Sequence, residues 1–260
     1  MLMLDCAGKQ DIPFLKQIWK ECFGDSDRYI TRYFDTLFDR ITIAVRRSGG
    51  IPVSMVSMLP VSLCTPDGDY PGHYIYAAAT AKAFEGKGYM SELLDYACNF
   101  AAERGDCFSC LIPATPSLFT FYQRREYRTA SYKNMKFISL SSRLLLADSE
   151  SAGLLTDLEE DAFFARRRSF LKKQDASVVF GEQYFPYLYL EMQNAGVFVT
   201  GVGETDYAVC YPDRGLLTVK ETSLSEQALT ECLPALLKRF HCAEAVAIFP
   251  TTEDSFSHNI

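Results

Sequence analysis

The stretch Ala81–Leu94, AKAFEGKGYMSELL, sets Gly86 and Gly88 one residue apart at the head of an amphipathic pattern. A G-x-G pair arises by chance in many chains, so its meaning lies in what flanks it. Upstream, HYIYAAAT (His73–Thr80) reads as a strand. Downstream, Tyr89–Arg104 reads as a helix with Met90, Leu93, Leu94, Ala97 and Ala101 on one face and Glu92, Asp95, Asn99 and Glu103 on the other, ended by Gly105. A strand feeding a glycine loop that opens a helix gathers unpaired N–H groups and the positive end of the helix dipole around one point. An anion, above all a pyrophosphate, fits there. Of the two glycines, one permits a φ value that side chains resist and the other lets a phosphate approach the backbone.

Two familiar phosphate loops are excluded by their own requirements. A nucleoside-triphosphate loop needs G-x-x-x-x-G-K followed by Ser or Thr, whereas Gly86-Lys87 is followed by Gly88. A dinucleotide fingerprint follows the first strand of a βαβ repeat, whereas this loop follows three strands in meander order, ITIAV from Ile41, VSMVSMLPVSL from Val53 and His73–Thr80.

The rest of the chain completes two mixed α/β units. Helical stripes over Asp11–Phe23, with Asp11 as N-cap and Pro13 in the first turn, and over Asp25–Phe38 open the chain. The strand CFSCLI, a helix over Thr115–Arg124 and the extended segment YKNMKFISL close a first domain, residues 1–140. SSRLLLADSESAG marks a connector over 141–152. Residues 153–260 repeat the order in part: helices over Leu154–Lys173 and Glu182–Gln193, strands GVFVTGV, YAVCYP and LLTVKET, a helix over Ser225–Phe240 that Pro234 should kink, and the strand AVAIFP. At the place of the glycine loop the second domain reads ETSLSEQAL, without glycine.

Lys+Arg 26 against Asp+Glu 33 gives a net charge of -7, which opposes binding to a nucleic acid and favours a cationic partner. No run is apolar enough to span a bilayer, and MLMLDCAGKQ lacks the pattern of a secretory signal, so no membrane partner and a cytoplasmic location are expected. The nine cysteines suit reduced thiols. Cys107 and Cys110 have C-x-x-C spacing, but their segment reads as strand and His73, His241 and His258 are isolated. Packing is the expected role, with no metal site. The basic cluster Arg166–Arg168 with Lys172 and Lys173 follows Glu159, Glu160 and Asp161 and reads as a solvated helix face.

The segment Glu85-Gly86-Lys87-Gly88-Tyr89-Met90 resembles the signature [QR]-x-x-G-x-[GA] of the GNAT acetyl-CoA-dependent N-acetyltransferases, with Glu85 and Met90 departing from it. A large residue at the position of Met90 is similar to the Eis-like subgroup. LFTFYQRREYR (Leu118–Arg128) resembles the family's fourth-helix pattern, with Glu126-Tyr127 in place of its Gly-Phe pair. The resemblance implies a tandem GNAT fold, an α+β mixed sheet in each half, with an acetyl-CoA-binding N-terminal half and a degenerate C-terminal half that shapes the acceptor cleft. It implies acetyl-CoA as cosubstrate, its pyrophosphate on Gly86, Lys87, Gly88, Tyr89, Met90 and Ser91, its pantetheine arm along Ala78, Ala79 and Thr80, and Ser117 beside it. Tyr122 stands where the family has its general acid. A carboxylate at Glu85 is repulsive to a pyrophosphate beside it.

The reaction so implied is direct acetyl transfer to the primary amine of a small cationic molecule. Glu85, Asp25, Asp27 and Glu221 are candidate bases by charge alone. Eis-like enzymes use a chain-terminal carboxylate, which would here be that of Ile260. Two other classes compete: a non-catalytic acyl-CoA-binding or regulatory protein, and an aminoacyl-tRNA-dependent transferase, which the net charge opposes. A homo-oligomer is compatible with the sequence.

Overall fold

The computed structural model describes residues 3–130, 132–138 and 155–251. They fall into two compact units, Met1–Tyr127 with Asp175–Tyr184, and Arg128–Gln174 with Phe185–Ile260.

In the first unit, strand β1 (Met3–Cys6) precedes helices α1 (Ile12–Phe23) and α2 (Asp27–Leu37). Pro13 lies in the first turn of α1, as its fixed φ allows, and Gly24 ends the helix at φ 73°. Asp11 does not cap α1 with its side chain. Its carboxylate instead accepts from the Gly8 N–H at 2.8 Å and from both terminal nitrogens of Arg47. Ser26 supplies the cap of α2, accepting from the Tyr29 N–H.

Strands β2 (Thr42–Ser48), β3 (Ile51–Thr65) and β4 (Gly68–Thr80) then form an antiparallel meander, with β1 on the outer edge of β2. Helix α3 (Tyr89–Glu103) crosses back, and β5 (Phe108–Cys110) pairs parallel to β4. Helix α4 (Pro116–Gln123) follows. Alternation along the strands divides the core in two. Val56, Met58 and Ile75 meet Leu93, Leu94, Ala97 and Ala101 of α3, while Tyr76 points to the other face and meets Trp19 of α1, ring centroids 5.8 Å apart.

The second unit's sheet has the order β6 (Tyr132–Ile138), β12 (Glu244–Thr251), β11 (Leu216–Thr222), β10 (Asp206–Asp213), β9 (Phe198–Val202), β7 (Leu155–Asp157). Strands β9, β10 and β11 form the meander, and after the crossover helix Glu226–Phe240 strand β12 runs parallel to β11. Each unit thus holds the same signature of meander, helix and parallel strand. The crossover helix runs through Pro234 without interruption and packs Leu229, Leu233 and Leu236 on Leu217, Val219, Ala245 and Ala247. Helices α5 (Glu160–Leu171) and α6 (Phe185–Asn194) cover the opposite face, where Phe164 stacks on Phe185 at 3.8 Å; the crossover helix is α7.

Two segments pair differently from their position in sequence. Tyr132–Ile138, expected to close the first domain, pairs with β12 in the second sheet. Strand β8 (Ser177–Phe180) pairs with Val61–Cys64 of β3 in the first. The basic cluster after Asp161 is a solvated face only in part: Arg168, Lys172 and Lys173 are exposed, whereas Arg166 and Arg167 are engaged in bonding. Arg166 donates to the carbonyls of Gly203 and Asp206, and Arg167 makes a two-pronged pair with Glu221 at 2.7 and 3.1 Å. Among the described residues no helix is long and apolar enough to cross a membrane, and no group of three His, Cys, Asp or Glu could hold a metal ion. All nine cysteines are free thiols. Cys107 is exposed, which departs from the packing role expected of it, while burial pushes the half-buried Cys110 thiol up to about 11.

Candidate acyl-donor site

The glycine loop is built from both glycines in the left-handed region, Gly86 at φ 72° and Gly88 at φ 79°. A Cβ at either would meet nothing within 4 Å, so the backbone conformation, rather than crowding within the protein, demands glycine at both. Gly88 is the N-cap of α3 and offers no side chain to its first turn. Ser91 and Glu92 donate back to the Gly88 carbonyl at 3.0 and 3.2 Å. The N–H groups of Gly86, Lys87, Gly88, Tyr89 and Met90 make no hydrogen bond among the described residues. Five consecutive open donors at the positive end of a fifteen-residue helix form an anion cradle. Ser91, expected to contribute its amide, has it committed to Gly88.

The cradle is braced by a stack of charges and rings. Lys87 Nζ lies 4.8 Å over the Phe84 ring, Phe84 stacks on Tyr89, and the buried Arg46 guanidinium lies 4.0 Å from the Tyr89 centroid. Arg46 also pairs with Glu92, which offsets the carboxylate in the first turn of α3. Glu85 is exposed, so solvent screens its repulsion of an anion.

Beside the cradle, β4 has an open edge. Its parallel pairing with β5 covers only Gly72–Tyr74, and from Ile75 to Thr80 that edge has no strand partner among the described residues. On the other edge the register to β3 jumps from Ser57↔Tyr76 to Met55↔Ala79. Ala77 and Ala78 therefore form a bulge opposite Val56, with Ala77 at φ 49°. Such bulges re-aim backbone groups and cluster at functional sites. Ala79 is buried, Ala78 and Thr80 are half-buried, and the Thr80 hydroxyl pairs with Ser54 at 2.9 Å.

Tyr122 lies in the last turn of α4 with 8% exposure, its ring edge-on to Phe121 and Tyr127. Burial raises its pKa, and the Arg125 charge pulls in the opposite direction. Its hydroxyl makes no hydrogen bond among the described residues. Arg125 joins α4 to the cradle, donating to the Ser91 hydroxyl and, at 2.6 Å, to the Phe121 carbonyl. Between the two helices opens a cavity of about 600 Å³, lined by Ser91, Asp95, Ser117, Thr120, Phe121 and Arg124. Ser117 is exposed there and bonds Thr115 at 3.0 Å.

The candidate bases separate by position. Asp27 is 88% exposed and pairs with Lys20, while Glu221 is held by Arg167 and the Tyr207 hydroxyl. Ile260 lies outside the described residues. Asp25 is half-buried and accepts from the Trp19 indole at 2.8 Å. It stands close enough to Tyr76 to help raise that phenol's pKa, after burial and the Tyr29 hydroxyl. Tyr76, bonded to Tyr29 at 2.7 Å, immediately precedes the bulge. Among the four carboxylates only Asp25 combines partial burial with a place beside the β4 bulge. Its sequence signal was charge alone, and the Trp19–Asp25–Tyr29 spacing carries no motif that would single it out.

Residues 5–130 match the family model described as acetyltransferase (GNAT) domain. That stretch, just under half of the chain, is similar to this domain family. Nearly the whole chain also shares its fold with solved structures. A GCN5-related N-acetyltransferase from Kribbella flavida matches 98% of this chain at TM-score 0.74 and 15% identity. A probable N-acyltransferase from Enterococcus faecalis V583 matches 97% at TM-score 0.79 and 13% identity. Eis1 from Mycobacterium abscessus matches 98% at TM-score 0.67 and 13% identity, with 67% of its own chain covered. The chain spans 66% of the Kribbella and Enterococcus proteins. A search of curated protein sequences finds no match. The neighbours' coverage and the signature repeated in both sheets make the architecture a tandem GNAT fold.

Proposed function

We propose that the first unit transfers an acetyl group from acetyl-CoA to the primary amine of a small cationic molecule, in the cytoplasm. The observation that carries this reading is the row of five open amides at the head of α3, set beside the unpaired edge of β4. Acetyl-CoA supplies the acyl group as a thioester. The donors of Gly86–Met90 match the oxygens of a pyrophosphate, and the open positions above Gly86 and Gly88 leave room for it. The β4 edge from Ile75 to Thr80 offers backbone partners to an extended arm, and the cavity lined by Ser117 and Arg124 adjoins the cradle at Ser91.

An amine with a pKa of about 10.4 arrives mostly protonated and attacks only after losing that proton to solvent. The acidic Asp25 beside the bulge attracts the cation and orients it. As the N–C bond forms and the C–S bond breaks, a bulge amide at Ala77–Ala78 stabilises charge building on the carbonyl oxygen. The Tyr122 hydroxyl gives its proton to the leaving sulfur and regains one through solvent, as the acylated nitrogen sheds a proton to give the amide. Burial holds that phenol protonated beyond its ordinary value of 10.0, so the rate rises with pH as the amine deprotonates and shows no tyrosine-limited fall below pH 10.

Release of free thiol from acetyl-CoA in the presence of a panel of primary amines tests the reading. At least one polyamine or aminosugar should be acetylated, and Tyr122→Phe should lower kcat by about 10²-fold. Tight acetyl-CoA binding with no turnover for any amine would instead favour a non-catalytic acyl-CoA-binding protein.

A further inference from the structure

We propose that Tyr127 is a positioning residue for Tyr122, tying the proton donor to α3 and β5. The inference rests on the reading of Tyr122 as the group that protonates the leaving sulfur. Helix α4 has only eight residues, too short to hold its last turn by helix propensity alone. The Tyr122 hydroxyl has no hydrogen-bond partner among the described residues, so its aim is set by what grips the ring and backbone. Tyr127 grips both. After α4 the chain reverses through Glu126 at φ 66°, and the N–H groups of Arg125 and Tyr127 donate to the Tyr122 carbonyl at 2.8 and 3.3 Å. The Tyr127 ring then stands edge-on to the Tyr122 ring, centroids 5.5 Å apart at 70°.

Tyr127 is itself fixed from two sides. Its hydroxyl pairs with the Ser109 hydroxyl of β5 at 2.7 Å and contacts the Cys98 thiol of α3 at 3.7 Å. Of these elements, α3 carries the cradle, and β5 pairs with β4 just before its open edge begins. A phenol that drifts by a fraction of an ångström loses its line to the sulfur without any loss of donor binding, because positioning governs the chemical step far more steeply than affinity. The effect therefore falls on kcat.

A double-mutant cycle tests this, with acetyl transfer measured for Tyr127→Leu and Tyr127→Phe in the parent and in Tyr122→Phe. In the parent, Tyr127→Leu should lower kcat about tenfold and Tyr127→Phe about threefold, with KM for acetyl-CoA within about twofold. In Tyr122→Phe neither should lower kcat further. An equal loss in both backgrounds, a loss seen in KM alone, or an unchanged kcat in Tyr127→Leu would overturn the proposal. If Tyr127→Leu does not fold, Ser109→Ala and Tyr127→Phe cut the anchoring bond from either side, and each should reproduce the threefold loss without adding to the other. An unchanged kcat in Tyr122→Phe would overturn the reading of Tyr122 and this inference with it, whereas failure at Tyr127 alone leaves that reading intact.

Discussion

At Glu126 the chain takes a left-handed turn that the family pattern would give to glycine, and it does so with a carboxylate-bearing side chain at φ 66°. That conformation costs an L-residue about 1–2 kcal/mol, partly offset by the greater unfolded-state freedom of glycine. Glu126→Gly should therefore stabilise the protein by about 0.5–1 kcal/mol in urea unfolding, and a destabilised variant would show that the glutamate side chain makes a compensating contact. The departure itself was legible in REY at Arg125–Tyr127; the bond from the Tyr127 N–H back to Tyr122 was not. A motif names a position, but side-chain anchoring across Ser109 and Cys98 depends on elements that meet only in the fold. Glu85 shows the same limit from the other side. Its charge beside the loop was readable, while its screening by solvent follows from exposure that sequence does not encode.

Among the elements, the pattern of period and turn residues located α1 to α4 and the first meander within a few residues. What it missed were polar groups used for tertiary ties. Asp11 looked like a cap because it precedes Ile12 and Pro13, yet it serves the buried Arg47, which also pairs with Asp5. The Arg47 hydrogen bonds are the main cause of the lowered Asp11 pKa, so their stabilisation is present at neutral pH and fades as pH falls through the depressed value. Arg47→Met should cost about 3–5 kcal/mol at pH 7, because Asp11 is left buried and unpaired. The gap between parent and variant should narrow in acid, where Asp11 takes up a proton. Unfolding curves at pH 7 and pH 3 measure it, and a gap that stays constant would deny the pairing its role. Two members of the basic run after Asp161 were misread for a related reason: helix periodicity places Arg166 and Arg167 on a helix without showing the carbonyls and the carboxylate they reach.

Across the whole molecule, the repeated order of meander, helix and parallel strand was readable as a partial repeat, although the strands that complete each sheet were not. Tyr132–Ile138 and Ser177–Phe180 are short, and strand pairing between distant segments leaves no local signal. The two units differ where donor chemistry would reside. At the head of α3 five amides are open, while at the head of α7 the Ser225 hydroxyl accepts from Ala228 and the Thr222 hydroxyl accepts from Leu224. At the second helix start side chains take up two of the amides, and the sequence there, ETSLSEQAL, has no glycine to open a loop. Calorimetric titration with acetyl-CoA reads this asymmetry directly. The account predicts one site per chain, weakened about tenfold or more by Gly88→Val, because a β-branched residue resists the left-handed conformation that opens the cradle. Two sites per chain, or a single site indifferent to Gly88→Val, would contradict it.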